Sequence, residues 1–209
     1  MSYIPILKKI HFDGREFITS TEIKIYCNSL NLDYENIIRY LIRRKYFIRI
    51  FKCIFYVKFL EEIKYKTNKY SHFELISKGL ELKGVRNWYF GLYTALKLNN
   101  ATHEYFTIDY VISDSLYRNN PMTIYNRKFK FHKFKPSLLK FGIIKDDLKY
   151  SDLEKTILDF IYLWIYNSTP KNRILMDISD YTKNLSESKI KDYVRWYPKS
   201  VKEIIKEII

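Results

Sequence analysis

Between residues 33 and 58, DYENIIRYLIRRKYFIRIFKCIFYVK, the hydrophobic period changes from 3.6 to 2 within a few residues. Tyr34, Ile37, Ile38 and Leu41 recur at the spacing of one buried helical stripe, and Asp33 is placed to cap that helix, which the spacing predicts over 34–45. Residues 47–51 (FIRIF) and 54–59 (IFYVKF) then alternate as paired strands do. The connection Lys52-Cys53 has no Gly, Asn or Asp for the positive φ of a tight hairpin turn, which predicts a longer loop and shorter strands. A helix handing over directly to a hairpin leaves few folds open.

The preceding residues narrow them further. A short helix is expected over 4–12 and a strand over 15–19. Next come a helix capped by Ser20 or Thr21 with Ile23, Tyr26 and Cys27 on one side, and a turn over 28–31. Helix, strand, helix, turn, helix, hairpin is the order of a winged helix-turn-helix. In such a head the face of the third helix opposite its apolar stripe is solvent-facing. That face carries Asn36, Arg39, Tyr40 and Arg43 at i, i+3, i+4 and i+7, one column of side chains. Arg44, Arg49 and Lys52 lie close in sequence, and no acidic residue occurs between Glu35 and Glu61.

Charge points the same way. The formal net charge is +14, and the basic excess is uneven: residues 1–70 hold 14 basic against 7 acidic side chains, 71–142 hold 11 against 5, and 143–209 hold 12 against 11. A polyanion is the expected partner. In the major groove Arg reads guanine, Asn reads adenine, and other cations bind phosphate, so the column on the third helix reads as a double-stranded-DNA surface. A solvated helix face, or a winged helix used for protein contact, is the alternative.

Beyond residue 60 the chain reads as a polar connector (61–70), helices over 71–82 and 87–98, and a strand over 105–113. A second strand follows through 123–126 and 127–135, and a third near 141–147. Ser151 and Glu154 make a capping box for a helix whose apolar stripe is Leu153, Ile157, Phe160, Ile161 and Trp164. Residues 170–209 read as two or three helices broken at 184–186 and at Pro198. The expected fold class is α+β in two domains. Residues 1–69 form the winged helix-turn-helix, and residues 70–209 a mixed α/β domain with a small sheet over about 105–148 and a helical tail over 151–209.

In 127–135 (RKFKFHKFK), Phe129 and Phe131 share one strand face and Lys128, Lys130 and His132 the other, with Phe134 breaking the parity. The strip fits either a nucleic-acid backbone, with Lys128 and Lys130 as contacts, or a lysine-protected edge strand. Asp147 and Lys149, with Asp109 or Asp114 upstream, match the Asp-x-Lys pattern of metal-dependent nucleases, a pattern that arises easily in so charged a chain. The aromatic run Trp88, Tyr89, Phe90, Tyr93 and Leu96 reads as core packing rather than a ligand pocket. His11, His72, His103 and His132 are dispersed, without zinc-ligand spacing. No phosphate-cradling glycine motif is present. Neither a catalytic residue, a metal nor a cofactor is expected.

Hydrophobic residues make up 47% of the 209 and aromatics 18%, which excludes disorder. Two cysteines, Cys27 and Cys53, are expected as free thiols of a reducing compartment, the cytoplasm. The longest apolar run, residues 157–166, is too short to span a bilayer and contains Asp159, so no membrane partner is expected.

The amino-terminal order of elements, together with WYFGLYTALKLNN (88–100), YVISD (110–114) and YSDLEKTILDFIY (150–162), resembles the AbiEi antitoxin family of bacterial and archaeal type IV toxin–antitoxin systems. Most of the chain is covered. Asn99 and Asn100 stand where a His-Gly-like helix end is expected, and the wing has no glycine. The resemblance implies an amino-terminal domain that binds inverted repeats in its own promoter, as a monomer or a weak dimer pairing on DNA. It also implies a carboxy-terminal domain that counters a nucleotidyltransferase-like toxin without a stable complex. The DNA role falls on residues 36–45 and 49–58. Alternatives are a stand-alone winged-helix regulator, an RNA-binding module and a metal-dependent nuclease.

Overall fold

The computed structural model describes residues 4–182 and 185–208. The chain is α+β and divides into two compact units after Arg86, with Thr123–Asn126 joining the first.

In the first unit, α1 (Ile4–Phe12), α2 (Ser20–Ser29) and α3 (Tyr34–Arg43) surround one apolar core with a three-stranded antiparallel sheet. Its strands are β1 (Phe17–Thr19), β2 (Phe47–Phe51) and β3 (Ile54–Val57), in the order β1-β3-β2. Ile6, Ile10, Ile23, Cys27, Ile37 and Leu41 come together in this core, as the helical stripes require. The α2 cap differs from expectation. Thr19 rather than Ser20 or Thr21 is the N-cap, closing a reciprocal capping box with Glu22.

The hairpin also departs from its sequence reading. The turn is only Lys52-Cys53, and Cys53 itself takes the left-handed conformation, φ +66. A register shift between Arg49 and Phe51 places the extra residue on β2, so the bulge and Cys53 together do what a turn glycine would do.

Residues expected as a plain connector form α4 (Leu60–Tyr65). Buried Glu62 accounts for it. The carboxylate accepts from the Tyr56 hydroxyl at 2.7 Å, from the Phe59 amide at 2.9 Å and from the Lys69 amide at 2.8 Å, tying both ends of the segment to β3. Next, α5 (His72–Leu82) lies against β2: a Cβ added at Gly79 would meet Ile50 Cγ2 at 2.5 Å. That packing moves the boundary past the expected 69/70 to Arg86.

The second unit holds β4 (Trp88–Phe90), α6 (Leu92–Leu98) and β5 (Ile108–Ser113). In the chain a short strand β6 (Met122–Ile124), mostly in residues of the first unit, precedes β7 (Arg127–Lys133), and β8 (Ile143–Lys145) and β9 (Lys149–Ser151) follow in the second. In the order β7-β5-β4-β9-β8, β5 and β7 run parallel, as do β4 and β9, while the other neighbours are antiparallel. The expected helix over 87–98 is therefore a strand followed by a shorter helix, with Gly91 between them.

Packed on this sheet is α7 (Leu153–Tyr166), joined by α8 (Lys171–Ile178), α9 (Glu187–Val194) and α10 (Lys199–Ile205). The predicted capping box fails. Ser151 is a buried strand residue, and Asp152 caps α7 by accepting from the Lys155 amide at 2.9 Å. Glu154 instead accepts from the Ser186 amide at 3.0 Å, which ties α9 to α7. Pro198 starts α10 as expected, and of the break predicted over 184–186, Leu185 and Ser186 stand outside any helix just before α9 while Asn184 lies outside the described residues. At the end of α6, Asn100 takes φ +54 and supplies the left-handed turn of a glycine, while Asn99 donates to the Ser151 carbonyl at 2.9 Å.

Candidate nucleic-acid interface

Helix α3 owes its orientation to both ends. Asp33 accepts from the Asn36 amide at 2.8 Å, the cap its position predicts. At the other end Lys45, at φ +59, turns the chain into β2. Ile37, Ile38 and Leu41 are buried on one side, so Asn36, Arg39, Tyr40 and Arg43 must emerge together on the other. They line one open cleft of about 480 Å³.

Within the cleft the side chains are already engaged. Arg39 donates to the Glu35 carbonyl at 3.1 Å and to Asn36 Oδ1 at 3.2 Å. The Arg44 guanidinium lies 5.7 Å from the centre of the Tyr40 ring, and that of Arg49, on β2, 5.6 Å from the Phe55 ring. Among the described residues no carboxylate pairs with Arg39, Arg43, Arg44, Arg49 or Lys52. The seven residues predicted for this surface therefore divide into five on or capping α3 and two, Arg49 and Lys52, on the adjoining hairpin. Lys128 and Lys130 belong to the second unit, where Lys128 is exposed and Lys130 donates to the Asn119 carbonyl.

Two further residues hold this surface. Tyr34 donates to Ser20 Oγ at 2.9 Å, and Lys24 on α2 lies 5.2 Å from the Tyr34 ring, so α2 and α3 are clamped beside the cleft. Lys24 left no mark in the sequence beyond its place on the polar side of α2.

Two carboxylates of the nuclease reading are engaged elsewhere, while Asp147 is exposed. Asp109 is buried and takes two bonds from Arg127, at 3.1 and 2.9 Å, and Asp114 accepts from Asn87 at 2.7 Å. Among the described residues, no group of three or more His, Cys, Asp or Glu side chains is placed to hold a metal ion. Nor, among them, is any helix long and apolar enough to cross a membrane. Cys27 is buried and Cys53 exposed, both as free thiols.

The fold is similar to that of the crystal structure of the RV2827C protein from Mycobacterium tuberculosis, with a TM-score of 0.60 and 8% identity, over 98% of this chain and 74% of that one. At that identity the likeness is one of fold. No family model and no curated protein matches the chain.

Proposed function

We propose that this chain is a double-stranded-DNA-binding regulator whose first unit is a winged helix, with α3 entering the major groove and the β2-β3 hairpin as its wing. The supporting observation is the open cleft that Asn36, Arg39, Tyr40 and Arg43 line together, in which no carboxylate pairs with Arg39 or Arg43 among the described residues. Arginine and asparagine there suit guanine and adenine edges, while Arg44, Arg49 and Lys52 suit phosphates. Counterion release makes the affinity salt-dependent. Two copies on an inverted repeat occlude a promoter. On the resemblance to AbiEi antitoxins, the promoter is the chain's own, and the second unit counters a nucleotidyltransferase-like toxin.

Selection of bound sites from a random duplex pool tests the reading. An enriched inverted repeat is the expected result. Recovery of no motif, or equal binding to structured RNA in a gel shift, would overturn it. Rescue of growth on co-expression with a toxin-like protein encoded beside it separates the antitoxin from a stand-alone regulator.

A further inference from the structure

The second unit carries an open groove of about 790 Å³ between the end of β7 and the end of α7. Its volume is that of a small-molecule site. Lys130, Lys133 and Lys135 contribute cations to its lining, and Tyr117, Tyr162 and Tyr166 supply rings. No Asp or Glu contributes to the lining. Tyr166 is 78% exposed and Tyr117 58%, so both ring faces are open to a ligand. Lys133 and Lys135 are also exposed, so the groove offers cations and aromatic faces together without an internal anion.

A second hollow of about 330 Å³ shares Lys130, His132, Leu163 and Asn167 with the first and continues it toward Tyr110 and Trp164. Here the His132 ring stacks on Tyr110, with centroids 6.0 Å apart and planes 12° off parallel. Burial, reinforced by Lys130, pushes its pKa down to about 4, leaving a neutral imidazole at pH 7. Exposed Asn167, at the end of α7, adds an amide that both donates and accepts.

Phosphate with an attached planar base is the chemistry that uses all of these features. An aromatic face stacks on any base, a lysine ammonium binds phosphate as a point charge, and a site without carboxylates repels neither. A lipid headgroup or inorganic phosphate would leave the exposed rings unused. We infer that this groove binds a nucleotide, with the base against Tyr166 and Tyr162 and the phosphates at Lys133 and Lys135. The source is either a free nucleoside phosphate or one residue of a single strand. This site is separate from α3 and does not rest on the duplex-binding proposal.

Titration of the full chain with a fluorescent mant-ADP, with mant-adenosine and with an rU octamer tests it. Saturable binding of mant-ADP, weakened about tenfold in Lys133→Gln/Lys135→Gln and by a similar factor in Tyr166→Ala, is expected. These side chains are exposed, and unchanged circular dichroism melts of both variants confirm that the loss is one of binding. Arg39→Ala/Arg43→Ala should keep the nucleotide affinity, so failure at one site does not imply failure at the other. Binding of the octamer about a hundredfold tighter than mant-ADP marks a single strand as the source, and comparable affinities mark the free nucleotide. Equal affinity for mant-adenosine, no saturable binding of any probe, or variants that bind like the parent would each overturn the inference.

Discussion

Lys155 Nζ lies 3.1 Å from Asp159 Oδ1 with both side chains wholly withdrawn from solvent. Tyr197 and Tyr89 donate to the same carboxylate at 2.6 and 2.7 Å, and the ammonium sits 4.9 Å from the Tyr89 ring centre and 4.8 Å from that of Phe141. Burial drives the lysine pKa down and the aspartate pKa up, each toward its neutral form, and their bond opposes both shifts. Burial raises both phenol pKa values well above their ordinary range, so the hydroxyls remain donors.

Removing one partner leaves the other uncompensated. Lys155→Met and Asp159→Leu are each expected to cost about 3–5 kcal/mol in urea denaturation, whereas the double variant Lys155→Met/Asp159→Leu should recover most of it. Additive losses in the double variant would contradict the coupling.

Gly142 bears on the same lysine. At φ +61 the position is left-handed, and a Cβ there would stand 2.8 Å from Lys155 Cβ. Gly142→Ala should therefore destabilise by about 2–3 kcal/mol through strain and overpacking together. Gly84→Ala, at φ +77 with open space around it, meets only the backbone strain and should cost less in the same melt.

On α3, Arg39→Ala and Arg43→Ala should each weaken binding to a selected operator by about 1–3 kcal/mol and relax preference at one base position. Lys52→Gln, at the hairpin turn, should instead weaken all sequences alike and lower the salt slope by about 1. Anisotropy titrations at several salt concentrations separate the two patterns.

A basic excess in residues 71–142 suggests that the middle of the chain also touches DNA flanking the operator. Replacing Lys128, Lys130 and Lys133 together by Gln should then make the salt dependence shallower. An unchanged slope would confine the duplex footprint to the first unit.

His132 adds an acid-sensitive contribution to stability. Its ordinary pKa of 6.5 is that of the unfolded chain, and the folded value is about 4. The unfolded state therefore takes the proton first. Stability should fall as pH drops from about 6.5 toward about 4, then level off, by on the order of 1–2 kcal/mol after solvent screening. Carboxylates titrate in part of this range, so the test is the difference between the parent and His132→Gln, whose profile should be flatter.

Strongly periodic elements are legible in the sequence. The stripe of α3, its Asp33 cap and the column from Asn36 to Arg43 all emerge where a 3.6-residue period puts them. Short strands are not, because Trp88–Phe90 spans too few residues to display a period of two and merges with the apolar face of α6. Ser151 misled as a cap because it ends a strand one residue before Asp152. The burial of Lys155 was not legible, since the tyrosines around it come from β4 and from just before α10, far along the chain. For the groove of the second unit, the sequence showed the lysine strip but not the tyrosines that fold beside it.

The bonds that Arg39 makes to Asn36 and Glu35, and the resting place of Arg44 on Tyr40, bear on how fast and how selectively this face can engage a target. An arginine released from full freedom surrenders about 2 kcal/mol of rotamer entropy when it is fixed. Here part of that ordering has occurred before any encounter, and a partner of the wrong shape would have to undo it.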